Sequence, residues 1–136
     1  MVEKPQIPLS GFADETYFKV YMSDIGLLRA RSGLSPEAII DEHGSYDRFK
    51  GAFAENYVLT ELLSLGKETH FWRSGNSAEV DFLFESNSSF IPVEVKSADN
   101  TQAKSYKQFC KLYKPSKGFK LSKKNFAKNL LEETVT

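Results

Sequence analysis

The hydrophobic pattern changes period several times along the chain, and each change marks an element. Residues 1–15 carry Pro5, Pro8 and Gly11 and follow no regular pattern, so they read as an irregular lead-in. Tyr17-Phe18-Lys19-Val20-Tyr21-Met22 is aromatic and β-branched, which predicts a strand. Ser23 or Asp24 caps a short helix through Ile25, Leu27 and Leu28 that ends near Gly33. Ser35-Pro36-Glu37 opens a second short helix that ends before Gly44. The longest helical pattern runs from about Tyr46 to Leu65 and stops at Gly66, with Phe49, Ala52, Phe53, Leu59, Leu62 and Leu63 at helical spacing. Three strand-like runs follow: Thr69 to Arg73, Glu79 to Glu85, and Phe90 to Lys96. Ser74-Gly75-Asn76 and Ser86-Asn87-Ser88-Ser89 separate them with the turn chemistry of a meander. A helix from about Gln102 to Tyr113 carries Tyr106, Phe109, Cys110 and Leu112 on its apolar side. After Pro115 come a short strand, Gly118 to Leu121, and a polar helix near Asn125 to Glu133. From Tyr46 onward the order is helix, three strands, helix, strand. The expected class is therefore α/β with a mixed sheet (α+β). A strand-and-helix extension over residues 1–45 packs on a core over residues 46–136 in one globular domain.

Composition narrows the classes. A chain of 136 residues makes one domain, and 40% hydrophobic residues suffice for a packed core. No apolar run approaches the ~20 residues of a membrane helix, and the N-terminus lacks the shape of a signal peptide. A single cysteine, Cys110, excludes an internal disulfide and fits a reducing cytoplasm. His43, His70 and Cys110 cannot form a four-ligand zinc site, and the chain has no Gly-x-x-x-x-Gly-Lys-Ser/Thr phosphate loop. Cys110, on the apolar side of its helix, reads as a buried small hydrophobe.

The zero net charge hides an asymmetry. Residues 1–95 hold 8 Lys/Arg against 15 Asp/Glu, a balance of −7, while residues 96–128 hold 10 Lys against Asp99 alone, a balance of +9. A lysine-rich stretch is either a solvated face or a nucleic-acid footprint.

Alternation then suggests where chemistry could gather. Along Glu79-Val80-Asp81-Phe82 the acids share one sheet face, and Val80 and Phe82 the other. In Val93-Glu94-Val95-Lys96 the charged pair shares one face and the valines the opposite one. If the two strands pair antiparallel with the apolar residues inward, Asp81, Glu94 and Lys96 meet on one face of strands about 4.8 Å apart. Two such carboxylates can bind one divalent cation. Glu55 adds a fourth group: it lies three residues after Ala52 and four before Leu59, within the apolar stripe, whereas Glu61 falls off it. A carboxylate on a packing face is unfavourable unless paired, hydrogen-bonded or metal-bound. Set against this, Glu-Val-Lys is also the pattern of an ordinary strand with one wet face, and both readings stand on pattern alone.

The ordered set Glu55, then Glu79-Val80-Asp81, then Glu94-Val95-Lys96 resembles the PD-(D/E)XK nuclease superfamily, whose restriction-endonuclease-like core is helix, three strands, helix, strand. More closely, residues 17–125 resemble the uncharacterised domain found C-terminal to AAA-type ATPase modules in bacteria and archaea. The matching stretches include Phe18 to Leu28, Lys50 to Asn56, Phe71 to Ser74, Ala78 to Phe82, Ile91 to Lys96 and Ala103-Lys104-Ser105. The resemblance implies a Mg²⁺- or Mn²⁺-dependent endonuclease acting on DNA. Asp81 and Glu94 would be its metal-binding acids, Glu55 a further acid from the first core helix, and Lys96 its catalytic lysine. One or two such ions would lower the pKa of a bound water and clamp the phosphate. Glu79 is either a supporting group or a surface residue, and Arg73 and Lys104 are candidate phosphate contacts. The resemblance also implies that the chain is part of, or partner to, an AAA-type ATPase. The alternative functions are a catalytically silent regulatory or interaction domain of an ATPase, and nucleic-acid binding without cleavage through lysines 104–128.

Overall fold

A computed structural model describes residues 1–40, 46–75, 77–97 and 103–122. The elements are α1 (Ile25–Ser32), α2 (Pro36–Ile40), α3 (Asp47–Ser64), β1 (Thr69–Ser74), β2 (Ala78–Ser86), β3 (Ser89–Lys96), α4 (Lys104–Tyr113) and β4 (Phe119–Ser122). Helix, three strands, helix and strand follow in the expected order, and the class is mixed α/β. The polar helix expected near Asn125 lies outside the described residues. Among them, no helix is long and apolar enough to cross a membrane.

Short-range chemistry sets the boundaries. Asp24 caps α1 by accepting a hydrogen bond from the Leu27 N–H, and Gly33 ends that helix at φ 70°. Gly66, at φ 68°, follows α3 in the same left-handed region, which glycine enters without steric penalty.

The strands form one sheet in the order β1-β2-β3-β4. The first three make an antiparallel meander, and β4 joins β3 in parallel after the α4 crossover. Leu83 packs with Tyr106, Phe109 and Cys110 of α4, while its neighbours Phe82 and Phe84 pack with Val58, Leu59 and Leu62 of α3. The two helices therefore cover opposite faces of the sheet. On the α4 side Trp72 and Phe109 are fully buried and meet edge to face at 5.2 Å. Side chains of this size each contribute about 1.5–3 kcal/mol by burial alone. Val2 and Leu9 enter the same cluster, so the N-terminal segment is built into the core. Val2 also bridges to Trp72 at the β1 edge.

Three details depart from the sequence pattern. Residues 17–22 form no strand: the segment runs extended without a ladder, and the side chain of Asn56 satisfies Met22 instead, accepting from its N–H at 2.9 Å and donating to its C=O at 3.0 Å. Strand propensity does not supply a pairing partner. The buried arcs of the helices are also narrower than expected, since Phe49, Ala52 and Leu63 of α3 and Leu112 of α4 are exposed. A spacing of three and four admits neighbouring arcs, and packing selects one of them.

The third departure concerns β2. Trp72 pairs with Val80 and His70 with Leu83, so two steps on β1 match three on β2 and one extra residue is accommodated there. This bulge breaks strict alternation. Val80 faces α4 and Phe82 faces α3, where alternation placed them together.

Candidate functional site

The bulge sits where β2 and β3 part. Their pairing runs from Ser86↔Ser89 to Phe82↔Val93, after which β3 continues beside β4 alone, with Glu94 opposite Lys120 and Lys96 opposite Ser122. At that point the side chain of Asp81 takes over from the ladder, its Oδ2 accepting the Val95 N–H at 2.7 Å. Asp81 is thereby fixed at the end of the paired strands, at the margin of a groove of about 430 Å³ between the N-terminal segment, α3, β1 and β2.

Glu94 alternates with Val93 and Val95, which pack on the α3 side, so it points toward α4. It is 4% exposed. Its Oε1 holds Lys96 Nζ at 2.5 Å, and its Oε2 is buried without a hydrogen-bond partner among the described residues. A buried carboxylate oxygen left bare is unfavourable and marks a place for a donor or a cation. Nearby, Tyr106 of α4 feels the Glu94 charge: burial first, then Cys110 and Glu94, raise its phenol. Gly118 permits this placement, because a Cβ there would collide with the Tyr106 hydroxyl. Cys110 is buried, as its position predicts, and burial raises its thiol pKa.

Glu55 arrives from α3. Its Oε1 accepts from Lys19 Nζ at 2.9 Å and from the Tyr21 hydroxyl at 2.5 Å. Lys19 also binds Glu79 Oε1 at 2.6 Å and lies 5.1 Å over the Phe71 ring. Burial alone would lower the Lys19 pKa, but its bonds to Glu79 and Glu55 outweigh that and raise it, so it stays charged. Tyr21 is raised by burial and then by the Glu55 bond, so it stays a neutral donor.

The electrostatic centre is Asp81. Burial, then the Glu94 charge, push its carboxyl up to about 7, with Glu55 adding to the rise; the Val95 N–H and Lys19 pull the other way. The charges of Glu94 and Glu55 both reach Asp81, Glu94 holds Lys96, and Glu79 meets Glu55 through Lys19. Alternation placed Asp81, Glu94 and Lys96 on one sheet face; instead Glu94 and Lys96 turn to the α4 side and Asp81 lies with the α3 side, because the bulge in β2 breaks the alternation there.

Other expected residues stand apart. Arg73 on β1 faces Glu79 across the strands, and Lys104 is exposed at the start of α4; among the described residues neither bonds to the acids. Lys104, Lys107, Lys111, Lys114, Lys117 and Lys120 are all exposed, as both a solvated face and a nucleic-acid footprint would be.

Three participants escape sequence reading: Lys19, Tyr21 and Asn56. Lys19 and Tyr21 belong to a stretch read as an ordinary strand. The signal available was the residue types themselves, since alternation already separates Lys19 and Tyr21 from Phe18 and Val20.

Hard carboxylate oxygens suit Mg²⁺ or Mn²⁺. Among the described residues no group of three Asp, Glu, His or Cys side chains is arranged to hold a metal ion. Mg²⁺ commonly uses only one or two carboxylates, filling its shell with water and phosphate oxygens. Asp81 and Oε2 of Glu94, close enough for the Glu94 charge to raise Asp81, are the oxygens that would serve such an ion.

The chain belongs to a family described as a domain of unknown function (DUF4143), whose model matches residues 50–135. No curated protein and no solved structure matches it.

Proposed function

For a chain belonging to this domain family, we propose a metal-dependent phosphodiesterase of the PD-(D/E)XK type, acting on DNA. The observation that carries it is Glu94: a buried carboxylate with one oxygen on Lys96 and the other without a partner among the described residues, electrostatically coupled to an Asp81 fixed where the strands separate. Asp81 and Glu94 would hold Mg²⁺ or Mn²⁺, with Glu55 completing the acid set from α3. When bound, the ion lowers the pKa of a water and neutralises phosphate charge. Lys96, anchored on Glu94, presents an ammonium that offsets negative charge building on the phosphoryl oxygens and orients the attacking water. Water oxygen bonds to phosphorus, the ester P–O bond breaks, and the proton released by the water leaves to solvent as the alkoxide product is protonated.

The test is cleavage of single-stranded, duplex and branched DNA with Mg²⁺ or Mn²⁺, for the wild type, Asp81→Asn and Lys96→Ala. Metal-dependent cleavage lost in both variants is expected. A folded wild-type chain that cuts none of these substrates, alone or with an ATPase module, overturns the reading.

A second reading rests on surface chemistry. Phe18 and Val20 are 75% and 83% exposed, and Leu27, Leu63 and Leu65 are exposed as well. Members of this family are commonly associated with AAA-ATPase-containing proteins. A docking domain for such an ATPase would use this apolar surface and keep its complex when Lys96 becomes Ala.

A further inference from the structure

The segment from Tyr17 to Met22 is inside-out. Extended chain alternates its side chains, and here the apolar Phe18 and Val20 point to solvent while Lys19 and Tyr21 point inward. A segment packed for core stability would show the reverse. What the inward side meets is the acid set: Lys19 Nζ lies 2.9 Å from Glu55 Oε1 and 2.6 Å from Glu79 Oε1, and the Tyr21 hydroxyl binds the same Glu55 oxygen. Asn56, one residue after Glu55 on α3, clamps the end of the segment through both backbone groups of Met22.

We propose that Lys19 is a built-in counter-ion of the carboxylate site, held there by the 17–22 strap, and that a divalent cation must displace it to engage Glu55. The inference rests on the metal reading above. Two cations cannot share one carboxylate oxygen closely without strong repulsion, and Glu55 Oε1 already carries the Lys19 ammonium and the Tyr21 hydroxyl. The Oε1 of Glu55 is therefore committed to the strap in this state, leaving Asp81 and Glu94 as the remaining acids of the site. Phe18 and Val20 add nothing to the hold on the strap, which rests on the polar contacts to Glu55, Glu79 and Asn56, on Tyr21 against Phe82, on Lys19 over Phe71 and on the N-terminal ammonium at the Tyr17 carbonyl. Anything that lifts the exposed Phe18 and Val20 away from the domain would free Glu55 for metal.

Calorimetric titration with Mn²⁺ tests this on the wild type, Lys19→Met, Lys19→Arg and Asp81→Asn. The expected result is Mn²⁺ affinity at least about tenfold higher in Lys19→Met, unchanged in Lys19→Arg, and sharply lower in Asp81→Asn. Equal or weaker affinity in Lys19→Met, with the wild type binding Mn²⁺, overturns the strap while leaving the metal site standing. Absence of Mn²⁺ binding in every variant overturns both. If circular dichroism shows Lys19→Met unfolded, the wild type decides alone. Its Lys19 side-chain resonance, assigned by loss in Lys19→Arg, should shift on saturation with Mg²⁺; an unmoved resonance in the Mg²⁺-bound protein refutes displacement.

Discussion

The two faces of the sheet are built from opposite materials. Under α4, Trp72, Phe109, Leu83, Val80, Val2 and Leu9 are fully buried, and the aromatic rings interlock at 4.9 to 6.0 Å. Under α3 the apolar cluster of Phe82, Phe84, Ile91 and Val93 gives way to Glu55, Lys19, Tyr21, Glu79 and Asp81. One face is organised for burial, with the Glu94–Lys96 pair as the exception beside Tyr106. The other keeps like charges close, an arrangement that lowers stability unless a cation balances them. The carboxyl raised to about 7 on the α3 side is the unfavourable feature that the proposed site would use.

The strongest way to test that division is to damage the apolar face. Phe109→Ala removes a fully buried ring touching Trp72, Phe90 and Tyr113, and should lower unfolding free energy by about 3–5 kcal/mol in urea titrations. The contrast would fail if the loss were no larger than that of an exposed substitution.

Next comes the charged face, probed by pH without metal. Asp81 ionises near 3.8 when unfolded and near 7 when folded. Between those values the native state keeps a proton that the unfolded state has released. This contribution is complete below pH 3.8 and disappears as pH rises through 7. Asp81→Asn stays neutral and can still accept from the Val95 N–H, so it should lack this fall. The difference in stability change between the two proteins from about pH 5 to about pH 8 should be on the order of 2–3 kcal/mol, read by denaturation in a chelator. Parallel pH profiles would mean that Asp81 titrates normally.

A smaller effect is expected at the junction between strap and helix. Asn56→Ala deletes both bonds to Met22 and should destabilise by about 2 kcal/mol. The Met22 amide should also exchange faster with solvent. Unchanged exchange would show that the strap is held by other contacts.

How much of this was legible beforehand depends on the distance over which each feature is decided. The helix caps at Asp24 and Gly33, the stop at Gly66 and the meander turns are local chemistry, and each lies where the pattern put it. That Glu55 lies near the sheet acids followed from helical spacing, a short-range rule, whereas alternation misplaced Asp81 relative to Glu94 and Lys96. The β2 bulge was not, for no glycine marks it and it exists only as a mismatch of register between β1 and β2. Lys19 was missed for a related reason, since it meets Glu55 36 residues away. Taken by itself, the sequence determined the order of elements from Tyr46 onward and where the helices and turns stop, because periodicity and turn chemistry act within a few residues. Only the tertiary structure decided that Val80 and Phe82 face opposite ways, that Tyr17 to Met22 is a strap, and that a lysine sits among the carboxylates. Those outcomes depend on which distant surfaces are free to pair, and chain folding settles that through contacts no local pattern encodes.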